Sequence, residues 1–418
     1  MNNNKIFTRA MAEKQQTEHI IIPSGFTEIG DETFSYFTKL KAITIPDTVT
    51  RIGEEAFYNC SSLKTITLPD TVTEIGKGAF NNCESLISAK LPKNLKHIQE
   101  NTFRWCNSLQ TINLPSTLIS ISEEAFDLCE NLTGLDFPKS LITISDEAFS
   151  RCKKLKNITL PPALEYIGNE AFSFCESLEE IYIPETVFVI GRGVFRACHN
   201  LKTIQVSKKN RRFTSKEGML YDKSKKTILQ YPPGREDTSY TLPTKIKNIG
   251  PGAFSGCDNL QEIILHDKVD LIDNGAFAHS INLKRVVMPK STGAIGAYAF
   301  HCCESLQEVT IPKEIALIPE KAFCYTSISN IEIPDTIRHI DVSAFRYSEL
   351  KQIKIPEGVQ SIGSGAFSKC DFLENVYIPD SVIKIAKDAF EDSKKVKIIC
   401  SPNSPAQRCI EWNENTED

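Results

Sequence analysis

Residues 52–69 read IGEEAFYNCSSLKTITLP, and this pattern recurs with substitutions along almost the whole chain. Its phenylalanine returns every 23 residues from Phe34 to Phe195, and every 22 or 23 residues from Phe254 to Phe390. A fixed period of this length indicates a solenoid, in which each unit buries its apolar side chains against the neighbouring units. The sequence therefore predicts a β-rich repeat solenoid of 15 units of 22–23 residues.

One unit can be divided into three parts. Residues 63–68 have the apolar spacing of a strand, and Pro69 ends that strand because proline has no N–H for a further ladder bond. Residues 72–75 predict a second short strand on the opposite side of the unit. Gly76 is expected to permit a turn. Residues 79–80 are expected to lie in a short helical or 3₁₀ turn, with the phenylalanine ring inside.

The composition is that of an ordinary soluble protein, with 418 residues, 41% apolar and 24% charged side chains. The net charge of −5 gives no reason to expect nucleic acid or an anionic membrane as a partner. No apolar run approaches the ~20 residues of a membrane span, and residues 1–14 show no secretory signal. We expect a cytoplasmic or non-classically exported protein, or a surface protein if the natural N-terminus is longer.

Ten of the fourteen cysteines occupy one position of the repeat. Stacked units would place them in a parallel ladder whose side chains all point the same way, which is poor geometry for disulfides. We predict buried free thiols that pack as small apolar groups, in a reducing compartment. The ten are Cys60, Cys83, Cys106, Cys129, Cys152, Cys175, Cys198, Cys257, Cys303 and Cys370.

The period divides the chain into a tail (1–18), a first repeat block (19–206), an insert (207–243), a second repeat block (244–399) and a C-terminal cap with its tail (400–418). The tail is predicted either to be disordered or to form a short helix over the open end of the solenoid. The apolar face of that helix would hold Ile6, Phe7, Ala10 and Met11. In the cap, Ser404 and Pro405 predict the N-cap and first residue of a helix. The apolar face of the cap helix would hold Ala406, Cys409, Ile410 and Trp412.

The insert is the most basic part of the chain. Residues 219–221 and 227–231 flank the polar run 222–226 and predict a β-hairpin. The insert has nine basic and four acidic side chains, a net charge of +5, which leaves −10 for the rest of the chain. We predict a salt-sensitive attraction for an acidic protein or glycan, and a solvated loop tip is the alternative. The candidate binding residues are Arg211, Arg212, Lys223, Lys225 and Lys226.

The unit Leu-x-x-Ile-x-Leu-Pro-x-x-Val-x-x-Ile-Gly-x-x-Ala-Phe-x-x-Cys-x-x-Leu closely resembles the BspA-type leucine-rich repeat family, also called the Treponema pallidum type. The resemblance covers residues 19–399, and residues 218–221 and 230–233 resemble the island found in that family. It implies a curved, right-handed solenoid whose Leu-x-x-Ile-x-Leu strands form one long sheet. Many members of the family are proposed to act in adhesion at surfaces, which the resemblance implies as a possible role for this chain.

The sequence contains no motif of an enzyme active site. The nucleophile elbow, the phosphate-binding loop, the zinc-protease helix and Cys-x-x-Cys are all missing, so no catalytic residue and no cofactor are predicted. Four residues of neighbouring units could cluster at one edge as zinc ligands. The favoured interpretation is that they are unrelated edge residues, and no metal site is predicted. The four are His279, His301, Cys302 and Cys324.

Positions that the repeat leaves free are the better candidates for binding. On the strands after leucine, the outward position is occupied by Tyr182, Ile264, Val287 and Tyr377. On the opposite short strands, an outward position is occupied by Ile119, Ile142 and Phe188. These residues predict contact with a protein partner or weak self-association. The alternatives are cover by the insert for the first group and ordinary scattered surface residues for the second.

The resulting prediction is a non-catalytic repeat protein that mediates protein–protein interaction through its strand face and insert, with host or cell-surface adhesion as the role that the resemblance implies. A glycan-binding, lectin-like repeat protein and an intracellular scaffold are the alternatives.

Overall fold

The structure is a computed structural model that describes residues 5–15 and 17–408. The chain divides into two compact units, Met1–Gly218 and Met219–Asp418. Each unit is a stack of rungs whose strands pair in parallel with the strands one rung away. The predicted β-rich solenoid is therefore confirmed in both units.

In the first unit, the strands that follow the repeat leucines form the strand face. They form four parallel sheets of two or three strands, and not the one long sheet that the resemblance implies. Within a sheet they pair without a register shift, as in Thr65↔Ser88 and Ser88↔Thr111. The strands of this face are β2 (His19–Ile21), β4 (Ala42–Thr44), β6 (Thr65–Thr67), β8 (Ser88–Lys90), β10 (Thr111–Asn113), β12 (Gly134–Leu135), β14 (Asn157–Ile158), β16 (Glu180–Ile183) and β18 (Thr203–Val206).

The opposite side of the first unit is the short-strand side, where the second residue of each two-residue strand, an isoleucine in all but the first strand, is turned inward. Its strands are β1 (Ile6–Phe7), β3 (Glu28–Ile29), β5 (Arg51–Ile52), β7 (Glu74–Ile75), β9 (His97–Ile98), β11 (Ser120–Ile121), β13 (Thr143–Ile144), β15 (Tyr166–Ile167) and β17 (Val189–Ile190). The helix α1 (Arg9–Glu13) follows β1, and β19 (Phe213–Lys216) follows the last rung.

The second unit repeats the same arrangement. Its strand face consists of β22 (Ser239–Thr241), β24 (Glu262–Ile264), β26 (Arg285–Val287), β28 (Glu308–Val309), β31 (Gln352–Lys354), β33 (Asn375–Tyr377) and β35 (Lys397–Ile399). Its short-strand side consists of β20 (Met219–Asp222), β21 (Thr227–Gln230), β23 (Asn248–Ile249), β25 (Leu271–Ile272), β27 (Ala294–Ile295), β29 (Leu317–Ile318), β30 (His339–Ile340), β32 (Ser361–Ile362) and β34 (Lys384–Ile385).

The third side of each rung, between the repeat glycine and cysteine, is the turn side. It consists of successive turns, so the predicted helical or 3₁₀ segment is wrong. The N–H groups of Glu55, Phe57 and Asn59 donate to carbonyls one rung ahead, while those of Tyr58 and Cys60 donate to carbonyls three residues back. Glu55 and Asn59 adopt the left-handed conformation, with φ of 50° and 55°. This alternation satisfies backbone groups on the turn side without a helix.

Close approach between rungs, and not a special φ, explains the repeat glycine. Gly76 is not in the left-handed region, contrary to the flexible turn that the sequence suggested. A Cβ at Gly76 would lie 2.5 Å from the backbone nitrogen of Glu54 on the preceding rung. A side chain at this position would therefore force the two rungs apart.

The phenylalanine rings form a stack inside each unit. In the first unit, centroid separations run from 5.0 Å for Phe34–Phe57 to 6.1 Å for Phe172–Phe195. In the second unit, Tyr231 begins the stack at 5.1 Å from Phe254. Tyr231 is fully buried and so takes the phenylalanine position from within the segment predicted as an insert.

Residues 5–15 of the N-terminal tail form a strand and a short helix, and not the predicted single helix. Ile6 and Phe7 form β1, which pairs in parallel with β3, and the ring of Phe7 stacks 5.9 Å from Phe34. Within α1, Ala12 is buried and Met11 is exposed. The segment from Ile6 to Met11 therefore does not present one helical face, because its first two residues extend the short-strand sheet.

At the other end, the predicted cap helix begins as expected. Residues 405–408 are helical, Ala406 is buried, and the backbone N–H of Gln407 donates to the Ser404 hydroxyl at 3.1 Å. Cys409, Ile410 and Trp412, predicted on the same helical face, lie outside the described residues.

Candidate interaction surfaces

The strand face carries alternating side chains, with one apolar set turned into the core and the other set turned to solvent. Tyr182 on β16 is 53% exposed and pairs in register with Gln205 on β18. Ile264 and Val287 are in-register partners on β24 and β26, and both are half-buried. The structure therefore places Ile264 beside Val287, as predicted, and places Tyr182 on the first unit.

A groove of about 1360 Å³ lies at the C-terminal end of the strand face of the second unit. Tyr377 and Ile399 are in-register partners on β33 and β35, and they are 41% and 42% exposed. The groove is lined by residues 330–333 with Asp335, and by residues 352–357, 377–379 and 399–401. Two exposed apolar side chains thus stand side by side in a concave part of the strand face.

The groove coincides with an interruption of the strand face. Residues 326–334 have no regular secondary structure and separate β28 from β31. The repeats that begin at Phe323 and Phe345 are the two that have 22 residues, and each lacks one residue between the cysteine and leucine positions. The first shortened turn lies within the irregular segment 326–334, whereas the second, between Ser348 and Leu350, is followed by the regular strand β31.

Ile399 was missed at the sequence level because the repeats were taken to end there. The repeat spacing Val396-x-x-Ile399 would place Ile399 at the inward position, whereas the structure pairs Ile398 with Val376 and so turns Ile399 outward beside Tyr377. The two shortened intervals were visible in the sequence. Nothing in the sequence shows that a groove would lie there.

The basic residues of the insert are divided between the two units. Arg211 and Arg212 belong to the first unit, whereas Lys223, Lys225 and Lys226 belong to the second, and all five are exposed. Within residues 5–15 and 17–408, no carboxylate lies within ion-pair distance of Arg211, Arg212, Lys225 or Lys226. The five residues therefore form two basic sites, one in each unit.

The side chains of Asn210 and Asp222 fix the backbone of the insert, and the sequence analysis did not identify either one. The amide nitrogen of Asn210 donates to the carbonyls of Pro184 and Val187, each at 2.9 Å, and its oxygen accepts from the N–H groups of Arg212 and Phe213. In the predicted hairpin, which the antiparallel pairing of β20 with β21 confirms, the Asp222 carboxylate accepts from the backbone N–H groups of residues 226 and 227 at 2.8 and 2.6 Å. Both basic sites are therefore held by ordered backbone.

On the short-strand side of the first unit, Ile119 and Ile142 lie on successive rungs, joined by a hydrogen bond from the N–H of Ile142 to the carbonyl of Ile119. Ile142 and Phe188 are exposed and Ile119 is half-buried. Glu165 occupies the rung between Ile142 and Phe188, so the three apolar residues do not form a continuous patch. Self-association through this side stays a prediction.

Three of the four potential metal ligands meet on the turn side of the second unit. The ligand atoms of His279, His301 and Cys302 all lie within 4.8 Å of one another, and the three side chains are half-buried. Cys324 is buried and is not a member of this group. The expectation that all four are unrelated edge residues therefore does not describe the geometry of these three.

A stack of parallel rungs of 22–23 residues, with leucine and isoleucine turned inward, defines a leucine-rich repeat protein. The sequence model of the BspA type leucine rich repeat region matches residues 4–129, 96–217, 236–351 and 338–408. The chain belongs to the BspA-type leucine-rich repeat family. Leucine-rich repeat proteins are generally not enzymes.

Several solved structures share the fold. A leucine rich cell surface protein from Faecalibacterium prausnitzii is 28% identical, with a TM-score of 0.54 over 96% of this chain and 91% of that chain. A leucine-rich repeat protein from Eubacterium ventriosum is 22% identical, with a TM-score of 0.56 over 92% and 90% of the two chains. The pneumococcal vaccine antigen PcpA is 22% identical, with a TM-score of 0.51 over 96% and 87%. No curated protein matches the chain.

The described residues contain no helix with the length and apolar character needed to cross a membrane.

Proposed function

We propose that this leucine-rich repeat protein binds a protein partner through the strand face, with the groove of the second unit as the principal contact. The observation that carries this proposal is the exposed, in-register pair Tyr377 and Ile399. Exposed aromatic and aliphatic side chains in a concave surface are the usual anchors of protein interfaces, because a partner that covers them gains hydrophobic free energy.

The charges around the groove indicate which partner would fit. Glu332, Asp335 and Glu357 contribute three carboxylates, and Lys354 contributes the only cationic side chain of the lining. A partner segment that inserts an apolar side chain beside a lysine or arginine would complement both properties of the groove. The groove therefore favours a basic partner segment, whereas the basic sites of the insert favour acidic partners.

A surface role in adhesion is the finer form of this proposal. It is supported by the 28% identity to a protein described as a cell surface protein. The exposed, unpaired Arg211 and Arg212 of the first unit offer a second contact for acidic groups on a partner.

The test is a binding screen of the full chain against purified extracellular proteins, with a glycan array in parallel. For a protein hit, we expect the change Tyr377→Ser to weaken binding by about 10-fold or more, because truncating a buried interface anchor costs at least ~1–2 kcal/mol. Thr67→Ser is the matched control, since Thr67 occupies the same outward strand position and is exposed.

Two results would contradict the proposal. A protein hit whose affinity is the same for Tyr377→Ser and for the unchanged chain would remove the groove from the interface. Binding confined to glycans would favour the lectin-like alternative. The role of the basic residues should be tested by charge reversal and not by deleting the insert, because Tyr231 belongs to the core of the second unit.

A further inference from the structure

The cluster of His279, His301 and Cys302 combines residues from two successive rungs. His279 lies two residues after Phe277, while His301 and Cys302 lie one and two residues after Phe300. The Nε2 atom of His301 is 3.4 Å from the Sγ atom of Cys302. Among the residues that the structure describes, this is the only group of three histidine, cysteine or acidic side chains with metal-ligand spacing.

The backbone beneath the cluster is fixed by hydrogen bonds between rungs. The N–H of His279 donates to the carbonyl of His301 at 2.8 Å, and the N–H of Cys302 donates to the carbonyl of Cys324 at 2.9 Å. His279 and Cys302 also share the left-handed conformation of this position, with φ of 60° and 55°. The three side chains therefore project from a rigid frame, which reduces the entropy lost when they converge on an ion.

Aromatic rings hold the His301 imidazole on several sides. The His301 ring meets the His279 ring edge-on at 5.4 Å, the Tyr298 ring at 5.7 Å and the Tyr325 ring at 6.1 Å. Tyr298 is itself fixed by a hydrogen bond from its hydroxyl to Glu320 at 2.7 Å. These contacts limit rotation of the imidazole while leaving the cluster half-exposed, so an ion can reach it from solvent.

Two histidines of the short-strand sides, His97 and His339, have different surroundings. His97 and His339 each form a 2.8 Å hydrogen bond with a serine hydroxyl one rung away, and neither belongs to a group of potential ligands within the described part of the chain. The cluster is thus a local departure from the repeat and not a property of histidine at the surface of every rung.

We propose that His279, His301 and Cys302 bind one zinc-class divalent ion, with a solvent molecule as the fourth ligand. Two imidazole nitrogens and one thiolate are ligands that Zn²⁺ accepts in a tetrahedral site. Zinc bonds of about 2.0–2.3 Å place ligand atoms about 3.3–3.7 Å apart, a separation that His301 and Cys302 already have. Rotation of side chains has to bring His279 closer. On binding, the Cys302 thiol loses its proton to solvent and its sulfur donates an electron pair to the ion.

The experiment is a titration of the reduced full chain with Co²⁺, followed by displacement with Zn²⁺. We expect one equivalent of Co²⁺ to produce tetrahedral ligand-field absorption in the visible range and a thiolate-to-cobalt charge-transfer band in the near ultraviolet. Zn²⁺ should abolish both. The change Cys302→Asn should remove the charge-transfer band and weaken Zn²⁺ binding by about 100-fold or more, since even outer-shell changes cost 10–100-fold.

Asparagine is chosen because it occupies the same left-handed position at Asn59 and Asn82, so this variant should fold. His339→Asn and Cys400→Ser are matched controls that should leave the spectrum and the affinity unchanged. A chain that shows no thiolate-to-cobalt band with stoichiometric Co²⁺, or a Cys302→Asn variant that retains the band, overturns the proposal. A folded Cys302→Asn variant, verified by an unchanged circular dichroism spectrum and melting temperature without metal, rules out misfolding as the cause of lost binding.

Discussion

The thiols of the cysteine ladder are hydrogen-bond donors as well as small packing groups. The Sγ atom of Cys129 lies 3.1 Å from the carbonyl oxygen of Phe103, and the same contact recurs along the ladder. At one position without cysteine, the hydroxyl of Ser280 makes the equivalent bond to the carbonyl of Phe254 at 2.7 Å. These phenylalanine carbonyls therefore accept a side-chain hydrogen bond from the next rung as well as a backbone N–H of their own rung.

The donor role predicts different outcomes for two substitutions of Cys129. Cys129→Ser keeps a donor, as Ser280 does, so we expect the free energy of unfolding to change by no more than about 1 kcal/mol. Cys129→Val keeps the apolar volume but leaves the buried carbonyl of Phe103 with only the backbone N–H of Cys106 as a donor, and loss of the thiol bond should cost about 0.5–1.5 kcal/mol. Urea unfolding of both variants checks this. Equal loss in the two, or a larger loss for serine, would show that packing alone explains the ladder.

The sequence predicted buried free thiols, and the structure confirms them. It did not reveal the donor role, because a cysteine in an apolar pattern has the same appearance whether or not its S–H finds a carbonyl. The serines at positions 280 and 393 were the available signal, since an apolar core position rarely alternates with a hydroxyl unless that hydroxyl has a partner.

At the scale of a single rung, the spacing of the backbone decides which residues are tolerated. Gly168 directly follows β15, and a Cβ there would lie 2.4 Å from the backbone nitrogen of Asp146. Gly134 lies in β12 on the strand face of the same unit, and the nearest atom to its added Cβ is 4.0 Å away. Neither glycine has a left-handed φ, so the two differ in space and not in backbone conformation.

This contrast predicts opposite effects of the same substitution. Gly168→Ala should lower the free energy of unfolding by about 1–3 kcal/mol, because the methyl group forces two rungs apart. Gly134→Ala should be neutral or should raise it by roughly 0.4–1 kcal/mol, because alanine restricts the unfolded chain. Urea unfolding midpoints of the two variants provide the measurement. If Gly168→Ala is as stable as Gly134→Ala, close approach between rungs does not explain the repeat glycine.

The elements of a regular unit were largely predictable, whereas the irregular ones were not. Period and proline positions located both strands of each rung, because apolar spacing reports which side chains face the core. The prediction for the turn side was wrong because its alternating left-handed residues follow from hydrogen bonds to the next rung, which no local pattern encodes. Tyr231 was missed for a related reason, since it fills the phenylalanine position without the usual Ala-Phe pair.

Across the whole molecule, the buried thiols make stability depend on alkaline pH. Burial raises the pKa of Cys198 and of Cys324 to about 12, from an ordinary value of 9.0. Burial also raises the pKa values of Cys129 in the first unit and Cys257 in the second. Between pH 9 and 12, the unfolded chain releases thiol protons that the folded chain retains. The stabilising contribution is therefore complete below pH 9 and is lost as the pH rises towards 12.

We expect the urea midpoint to fall as the pH increases from 8.5 to 10.5, with a loss of up to about 1.4 kcal/mol per pH unit for each retained thiol. Other groups also titrate in this range, so the control is a variant with Cys106, Cys129 and Cys152 all changed to serine. It should lose less stability over the same interval. Identical pH profiles for the two proteins would exclude the thiols as the cause.

For the whole molecule, the sequence predicted the repeat class and the family but not the positions of the groove and of the histidine and cysteine cluster. The groove lies where the strand face is interrupted between β28 and β31, and the histidine and cysteine cluster depends on which side chains face each other across rungs. Both are contacts between neighbouring repeats, and their geometry depends on the register and spacing of the rungs. The identity of a partner depends on a second molecule, which the sequence of one chain does not describe.

The constant register of the rungs also bears on how such a chain can change over generations. Thr65, Ser88 and Thr111 are in-register neighbours at intervals of 23 residues, and every step repeats the same contacts. Recombination that duplicates or removes one whole unit rejoins rungs whose strands, ring and thiol already match. The number of rungs can therefore drift with little harm to folding. The groove and the cluster are different, because the groove needs four particular rungs in succession and the cluster needs two, and an exchange within either set would separate their residues.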